Sequence, residues 1–331
     1  MTDLARPAGA LPLAGGWCWF SHVELIERGR PPQLRPAADL PPEMRDILTE
    51  PRPALAGLAL GRPRVMGILN ITPDSFSDGG RFLAPEAAMA QARRLLAEGA
   101  DLLDVGGEST RPGARPIPPD QEIARTAPII EALRQGGMEA PISIDTRKAT
   151  VAAAAFAAGA DILNDVSALG FDPALAKLAA ARAVPVCLMH AQGSPETMQD
   201  APHYDDVVID VFQALAAHVA RAEAAGIDRA RILIDPGIGF GKTLAHNLAL
   251  IRRLSVLHGL GCPIVFGASR KRFIAGIDPS AALADDRLGG SIAAALAAAG
   301  QGAQMIRVHD VAQTRQALAI AQALSRQETP A

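Results

Sequence analysis

EGADLLDV at 98–105, AGADILND at 158–165 and QGAQMIRV at 301–308 are near-copies of one another, and their reading decides the fold. In each, an alanine-rich stretch passes through a glycine into a short apolar run that ends in or beside polar residues. Gly99, Gly159 and Gly302 mark the points where a helix C-terminus hands over to a strand, because glycine accepts the left-handed backbone conformation of such a cap. Outward from these junctions the same alternation recurs. Apolar runs at 65–70, 101–106, 142–145, 161–165, 184–190, 231–235, 263–267 and 304–309 read as eight strands. The stretches 85–98, 119–134, 150–158 and 245–258 have the alanine content or periodicity of helices. Eight βα units in about 270 residues match the size of a (β/α)8 barrel. The fold class is therefore α/β, a (β/α)8 TIM barrel over 61–331 with a proline-rich N-terminal extension over 1–60. A doubly wound open sheet is the competing architecture. It would carry GxGxxG in its first βα turn, which MGILNITPDSFSDGG (66–80) does not supply.

Composition narrows the function. The 331 residues carry 32 Lys and Arg against 35 Asp and Glu, a balance that gives no reason to expect a nucleic-acid or anionic-membrane partner. Hydrophobic residues make up 49% and aromatics only 4%, so a large core must be built from Ala, Leu, Ile and Val. Cys18, Cys187 and Cys262 form neither a CxxC nor a zinc spacing, which fits a reducing cytosol. The N-terminus lacks a secretory pattern, and the most apolar windows, 151–160 and 292–299, fall short of the roughly 20 residues of a membrane span. Residues 1–60 contain Pro31, Pro32, Pro36, Pro41, Pro42, Pro51 and Pro53 and no long periodic run. They read as a surface-packed or partly disordered extension without chemistry, with WCWF at 17–20 as a docking patch.

In a parallel barrel the active site lies at the C-terminal ends of the strands. Those ends carry Asn70, Asp104 with Glu108, Asp145, Asn164 with Asp165, His190, Asp235, Ser269 to Lys271, and Arg307 with His309. PGIGFGKT at 236–243 resembles a phosphate-binding P-loop, but Pro236 stands where the motif needs glycine. Its glycines are expected instead to let the backbone approach a flat ligand held by Asp235. HExxH, GxSxG and a Cys/His nucleophile pair are all missing, which argues against metalloproteases and α/β-hydrolases. Cations at Arg111, Lys271, Arg307 and His309 suit a pyrophosphate. Buried carboxylates at Asp145 and Asp235 suit a ring with adjacent N–H donors, such as a 2-amino-4-oxo-pyrimidine. Asp104 and Asp165 fall off the inward register and are expected to brace loops, His190 to support its neighbours, and Arg270 to pair with a carboxylate. His203, His218, His246 and His258 fall on helical stretches.

VMGILNITPDSFSDGG (65–80), DLLDVGGESTRPGA (101–114), ISIDTRK (142–148), ILNDVSAL (162–169), VCLMHAQGSPETMQ (186–199), ILIDPGIGFGK (232–242), GASRK (267–271) and IRVHD (306–310) resemble the dihydropteroate synthase family, in that family's order and one per strand end. The resemblance implies a (β/α)8 transferase of folate biosynthesis. Such an enzyme joins 6-hydroxymethyl-7,8-dihydropterin pyrophosphate to p-aminobenzoate, giving 7,8-dihydropteroate and pyrophosphate. It implies that Asp145, Asn164, Asp235 and Lys271 bind the pterin, with Met189 and Phe240 lining its slot. It assigns the pyrophosphate to Asn70, Arg111, Arg307 and His309, with Asn70 helping to hold Mg²⁺. It places Phe76, Thr110, Pro112 and Ser269 around p-aminobenzoate, names Asp145, Lys271, Arg307 and His309 as the catalytic set, and suggests a homodimer through the last helices. The segments 71–82 and 106–119 are long for βα loops, and they are expected to complete the second pocket only after pterin pyrophosphate and Mg²⁺ arrive. A pterin-dependent methyltransferase would not need SRK together with RVHD, and a catalytically silent pterin-binding paralogue would have lost ESTRPG or ILNITPDSFSDGG.

Overall fold

A computed structural model describes residues 6–71, 84–109, 113–193 and 197–325. The chain opens with two antiparallel ribbons, β1 (Leu11–Pro12) with β2 (Trp19–Phe20) and β3 (His22–Leu25) with β4 (Gln33–Pro36), followed by helix α1 (Pro42–Thr49). Eight parallel strands then alternate with helices. The strands are β5 (Arg64–Asn70), β6 (Leu102–Gly106), β7 (Ile142–Asp145), β8 (Ile162–Asp165), β9 (Val186–Met189), β10 (Ile232–Asp235), β11 (Val265–Phe266) and β12 (Met305–Val308). The helices are α2 (Ala84–Ala97), α3 (Pro119–Gln135), α4 (Ala149–Ala158), α5 (Pro173–Arg182), α6 (Val207–Ala224), α7 (Leu244–Arg252), α8 (Arg272–Ile277), α9 (Leu288–Ala299) and α10 (Val311–Ser325). Pairing runs β10-β9-β8-β7-β6-β5-β12-β11, and a parallel bridge between Ile234 and Ile264 closes the ring. Each strand lies within or beside its expected span.

The three glycine junctions have φ of +99° at Gly99, +109° at Gly159 and +83° at Gly302, the left-handed caps that the repeats call for. Arginines cover two of them, Arg315 donating to the Gly99 carbonyl at 3.0 Å and Arg134 to that of Gly159 at 2.9 Å. One expected helix is interrupted. The stretch 245–258 divides into α7 and a 3-10 turn at Leu254–Leu260. The Gln301 amide is responsible: it donates to the Ile251 carbonyl at 2.7 Å and accepts from the Ser255 N–H at 3.2 Å. Those two groups are the pair that an uninterrupted helix would join.

Inside the ring, side chains two apart on a strand share a direction. Met66, Leu102, Ile162, Cys187, Leu233, Val265 and Met305, near the strand starts, form one apolar cluster with Leu55 and Leu60. Residues before β5 thus seal the barrel from below, although the sequence places them in the extension. The WCWF patch docks at the end of α9, where the Trp17 indole N–H donates to the Ala299 carbonyl at 2.9 Å. Arg52 donates to the His258 carbonyl at 3.2 Å. Leu55 is 1% exposed. Its replacement by alanine should therefore cost about 2–5 kcal/mol, the usual range for emptying a buried leucine site. Urea denaturation of Leu55→Ala is expected to show that loss while turnover of the folded fraction stays at the wild-type value, because the plug lies at the barrel end opposite the polar mouth.

Candidate active site

The same alternation that sends Leu102, Ile162, Leu233 and Met305 into the lower plug sends Asp104, Asn164, Asp235 and Arg307 into the next layer up. Asp145 follows Ser143 in the same way on β7. Asp104 is therefore an inward residue. It is fully buried, accepting from Arg307 Nε at 2.6 Å and from Asn164 Nδ2 at 3.1 Å. This corrects the expectation that it braces a loop, and the signal was available in the spacing from Leu102. Asp165 has the opposite parity and does brace its loop, accepting from the Ser167 N–H at 2.7 Å and the Leu169 N–H at 2.6 Å.

Arg307 spans the centre of the floor. Its Nη2 donates to Asp145 Oδ2 at 2.9 Å while its Nε is held by Asp104. Burial pushes the Asp145 carboxyl up to about 7; the nearby Asp104 charge adds to this and Arg307 opposes it. Burial also works against the Arg307 charge, but the two carboxylates outweigh it and hold the guanidinium protonated. Asp104 Oδ1 and Asp145 Oδ1 are buried without a hydrogen-bond partner among the described residues. Such buried oxygens are costly unless water or a ligand satisfies them. Asn70 stands across Gly106 from Asp145. A Cβ built on Gly106 would lie 3.7 Å from Asn70 Oδ1 and 3.8 Å from Asp145 Oδ2, which places the two side chains on either side of it.

Asp235 ends β10 beside Met189, its register partner on β9. Its Oδ1 accepts from the Gly237 N–H at 2.6 Å. Burial raises the carboxyl's pKa, and the Lys271 charge opposes the shift. Lys271 reaches over from the other side, its ammonium on the Ile238 carbonyl and 4.7 Å from the centre of the Phe240 ring. Burial lowers it to about 8, against the pull of Asp235. Acceptor carboxylates, a carboxamide and an ammonium thus gather near Met189 and Phe240, the two residues expected to line the pterin slot.

Two glycines of PGIGFGKT are required by the packing of the loop itself. A Cβ on Gly237 would stand 1.9 Å from the His190 carbonyl oxygen, and one on Gly241 would stand 2.5 Å from that of Gln192. At these two glycines the loop is packed flush against the chain leaving β9, whereas a Cβ on Gly239 would stand 3.3 Å from Lys271 Cδ, on the side facing the mouth. Lys242, which the sequence reading did not single out, lies 3% exposed beneath the loop. It donates to His190 Nδ1 at 2.9 Å and to the Phe240 carbonyl at 3.0 Å. Burial lowers this lysine to about 7 and, with Lys242 adding, lowers His190 to about 3, leaving a neutral imidazole that supports its neighbours as expected. His218 and His246 are helical and His258 lies in the 3-10 turn, whereas His203 is in a loop.

Arg270 explains how Ser269 and Lys271 both face the mouth. It adopts φ +60°, a left-handed conformation that costs a non-glycine residue on the order of 1–3 kcal/mol. Its side chain is drawn outward to Asp285 and to Asp310, at 3.0 and 2.6 Å from the latter, as its expected pairing requires. Its own N–H is held by Ser291 Oγ at 2.8 Å and its carbonyl by Arg287 at 2.8 Å. Ser269 Oγ then meets His309 Nδ1 at 3.0 Å, joining β11 to β12 at the rim. Of the expected site residues, Asn70, Asp145, Asn164, Met189, Asp235, Phe240, Ser269, Lys271, Arg307 and His309 come together around one mouth. Phe76, Thr110, Arg111 and Pro112, with most of 71–82 and part of 106–119, lie outside the described residues. No group of three or more His, Cys, Asp or Glu suited to a metal occurs among the described residues. The residue that the resemblance puts on Mg²⁺, Asn70, offers a carboxamide oxygen. Such a donor suits Mg²⁺, which keeps most of its coordination for water and substrate phosphates.

The family model for pterin binding enzymes matches residues 66–309. Dihydropteroate synthase of Escherichia coli K12 is 46% identical over 269 residues, covering 80% of this chain and 93% of that protein. The Neisseria meningitidis serogroup B dihydropteroate synthase is 47% identical over 272 residues, 81% of this chain and 94% of its own length. The Xanthomonas albilineans dihydropteroate synthase in complex with 7,8-dihydropteroate superposes with a TM-score of 0.76 at 48% identity, covering 84% of this chain and 100% of that one. The same enzyme with 4-aminobenzoic acid gives 0.78 at 50% identity, covering 85% and 100%. The barrel and nearly half of the aligned residues are thus shared along nearly the full length of these relatives, and the chain belongs to the dihydropteroate synthase family of pterin binding enzymes.

Proposed function

We propose that this protein joins 6-hydroxymethyl-7,8-dihydropterin pyrophosphate to p-aminobenzoate and releases pyrophosphate. The observation that carries the reading is the buried floor of Asp145, Asn164, Asp235 and Lys271 beside Arg307 and His309. One side offers acceptors for ring N–H groups, and the other offers cations for phosphate. Asp235, an acceptor only, faces the ring's adjacent donors, and Lys271 meets a ring acceptor. Met189 and Phe240 exclude water from the flat faces of the ring. The carbon attacked is attached to a conjugated ring that spreads positive charge, so its bond to the pyrophosphate oxygen can break with charge leaving on oxygen. Arg307 and His309 stabilise that charge. The neutral aromatic amine then forms the C–N bond and gives up a proton to solvent, and no strong general base is needed. Mg²⁺ at Asn70, bound chiefly by the phosphates, would offset the same developing charge.

Ser269, beside His309, borders p-aminobenzoate, and Phe76, Thr110 and Pro112 are assigned to the same pocket, with Arg111 on the phosphates. A homodimer through the last helices is supported by Ile320 and Leu324, large apolar residues exposed on α10. The three cysteines are free, consistent with the cytosol. No helix among the described residues is long and apolar enough to cross a membrane. Incubation with pterin pyrophosphate, p-aminobenzoate and Mg²⁺ should yield dihydropteroate and pyrophosphate. A chain that binds the pterin without forming product would favour the silent paralogue.

Two substitutions divide the site. Asp235→Asn turns an N–H₂ toward a ring donor and loses charge-assisted bonds worth about 1.5–3 kcal/mol each. Calorimetry with 6-hydroxymethylpterin should therefore show binding weakened about tenfold or more. His309→Ala should spare that unphosphorylated ligand and weaken pyrophosphate, whereas Arg307→Ala should weaken both, because it leaves Asp104 and Asp145 as unpaired buried carboxylates. Equal affinities of wild type and Arg307→Ala for the unphosphorylated pterin would show that the floor does not depend on the bridge.

A further inference from the structure

Just beyond Asp145 the chain places Arg147 and Lys148 side by side, and neither touches the pterin floor. The Lys148 ammonium is committed to three acceptors: the Glu108 carboxylate, the Glu122 carboxylate at 2.6 Å and the Ile117 carbonyl at 2.7 Å. Arg147 donates to the other Glu108 oxygen at 2.8 Å and lies 4.1 Å from the centre of the Phe171 ring. Two cations thus face two anions, with all four side chains 10% exposed or less. Burying four charges is expensive, and apolar side chains would meet a purely architectural need as well or better.

The placement of the knot gives it a purpose. Glu108 lies two residues past the end of β6, Glu122 is in the first turn of α3, and Ile117 lies just before that helix. One ammonium therefore ties the chain where it leaves the barrel to the chain where it returns, and ties both to the strand bearing Asp145. The Ile117 N–H adds a contact to Glu108 at 3.4 Å. Gly107 fixes the departure: a Cβ there would stand 2.8 Å from Thr126 Cγ2, and its carbonyl accepts from Arg125 at 2.8 Å.

We infer that Lys148, with Glu108 and Glu122, is a positioning residue for the second substrate. It ties Glu108, past the end of β6, and Ile117 and Glu122, at the entry to α3, to the strand that carries Asp145. This rests on the synthase reading above, which puts Thr110 and Pro112 of the intervening sequence beside the amine; on that reading the tie sets where the amine stands relative to the pterin. The test uses the full-length protein carrying Lys148→Met with Glu122→Gln, a pair that removes one charge of each sign and leaves Arg147 on Glu108. The Kd for 6-hydroxymethylpterin by calorimetry should stay within about twofold of wild type, while the KM for p-aminobenzoate rises about tenfold or more and kcat falls. Lys148→Arg should recover most of the loss. An unchanged KM for p-aminobenzoate, or a pterin Kd that weakens by the same factor, would overturn the inference. Should the double variant fail to fold, Glu122→Gln alone carries the same test: a smaller split in the same direction supports the role, and no split refutes it. Wild-type protein that binds pterin but forms no dihydropteroate would refute the synthase reading instead, and so separates the two failures.

Discussion

Short strands in a closed ring leave room for few inward side chains, and that constraint governs the rest of the molecule. A strand of four residues points two of them inward. Here the first is apolar and the second polar on β8, β10 and β12, where Ile162 precedes Asn164, Leu233 precedes Asp235 and Met305 precedes Arg307. Stability and chemistry are therefore two residues apart on the same strand. The lower layer excludes water from beneath the upper one, so the charges above it act in a medium of low polarizability, where their mutual effects are large.

Charges in such a place must be matched. Around the centre, Arg307 answers Asp104 and Asp145, and Lys271 answers Asp235. Behind them, Lys242 has no ion-pair partner among the described residues; His190 and the Phe240 carbonyl solvate it, and the Asp235 charge favours its own. The unpartnered oxygens of Asp104 and Asp145 show where this matching stops. On the proposed reading, a substrate that brings N–H donors would meet acceptors there.

The barrel was legible because its signals are local. A glycine cap before an apolar run is written in eight consecutive residues, and most strand-end site residues follow from it. What escaped depends on partners distant in sequence. The break after α7 comes from Gln301, and Gly237 and Gly241 answer to the backbone at His190 and Gln192, which nothing in their own neighbourhood reveals. The burial of Arg147 and Lys148, both within ISIDTRK, depends on Glu108 and Glu122 arriving from another strand and helix. Asp104 is the exception, since its parity with Leu102 is written in β6 itself.

The plug formed by Leu55 and Leu60 also bears on how the molecule assembles. These residues leave the ribosome before any barrel strand, yet the cluster they fill includes Val265 and Met305 from the final two strands. The ring itself closes by joining β12 to β5, the last strand to the first. Non-local pairing of this kind comes late, since loop-closure entropy must be overcome before the contacts reward it. Until then the leucines, and the lower ends of the strands they will cover, remain open to other chains. The early-made segment thus completes its own packing only at the end of synthesis, and the interval between is when this protein is most exposed to aggregation.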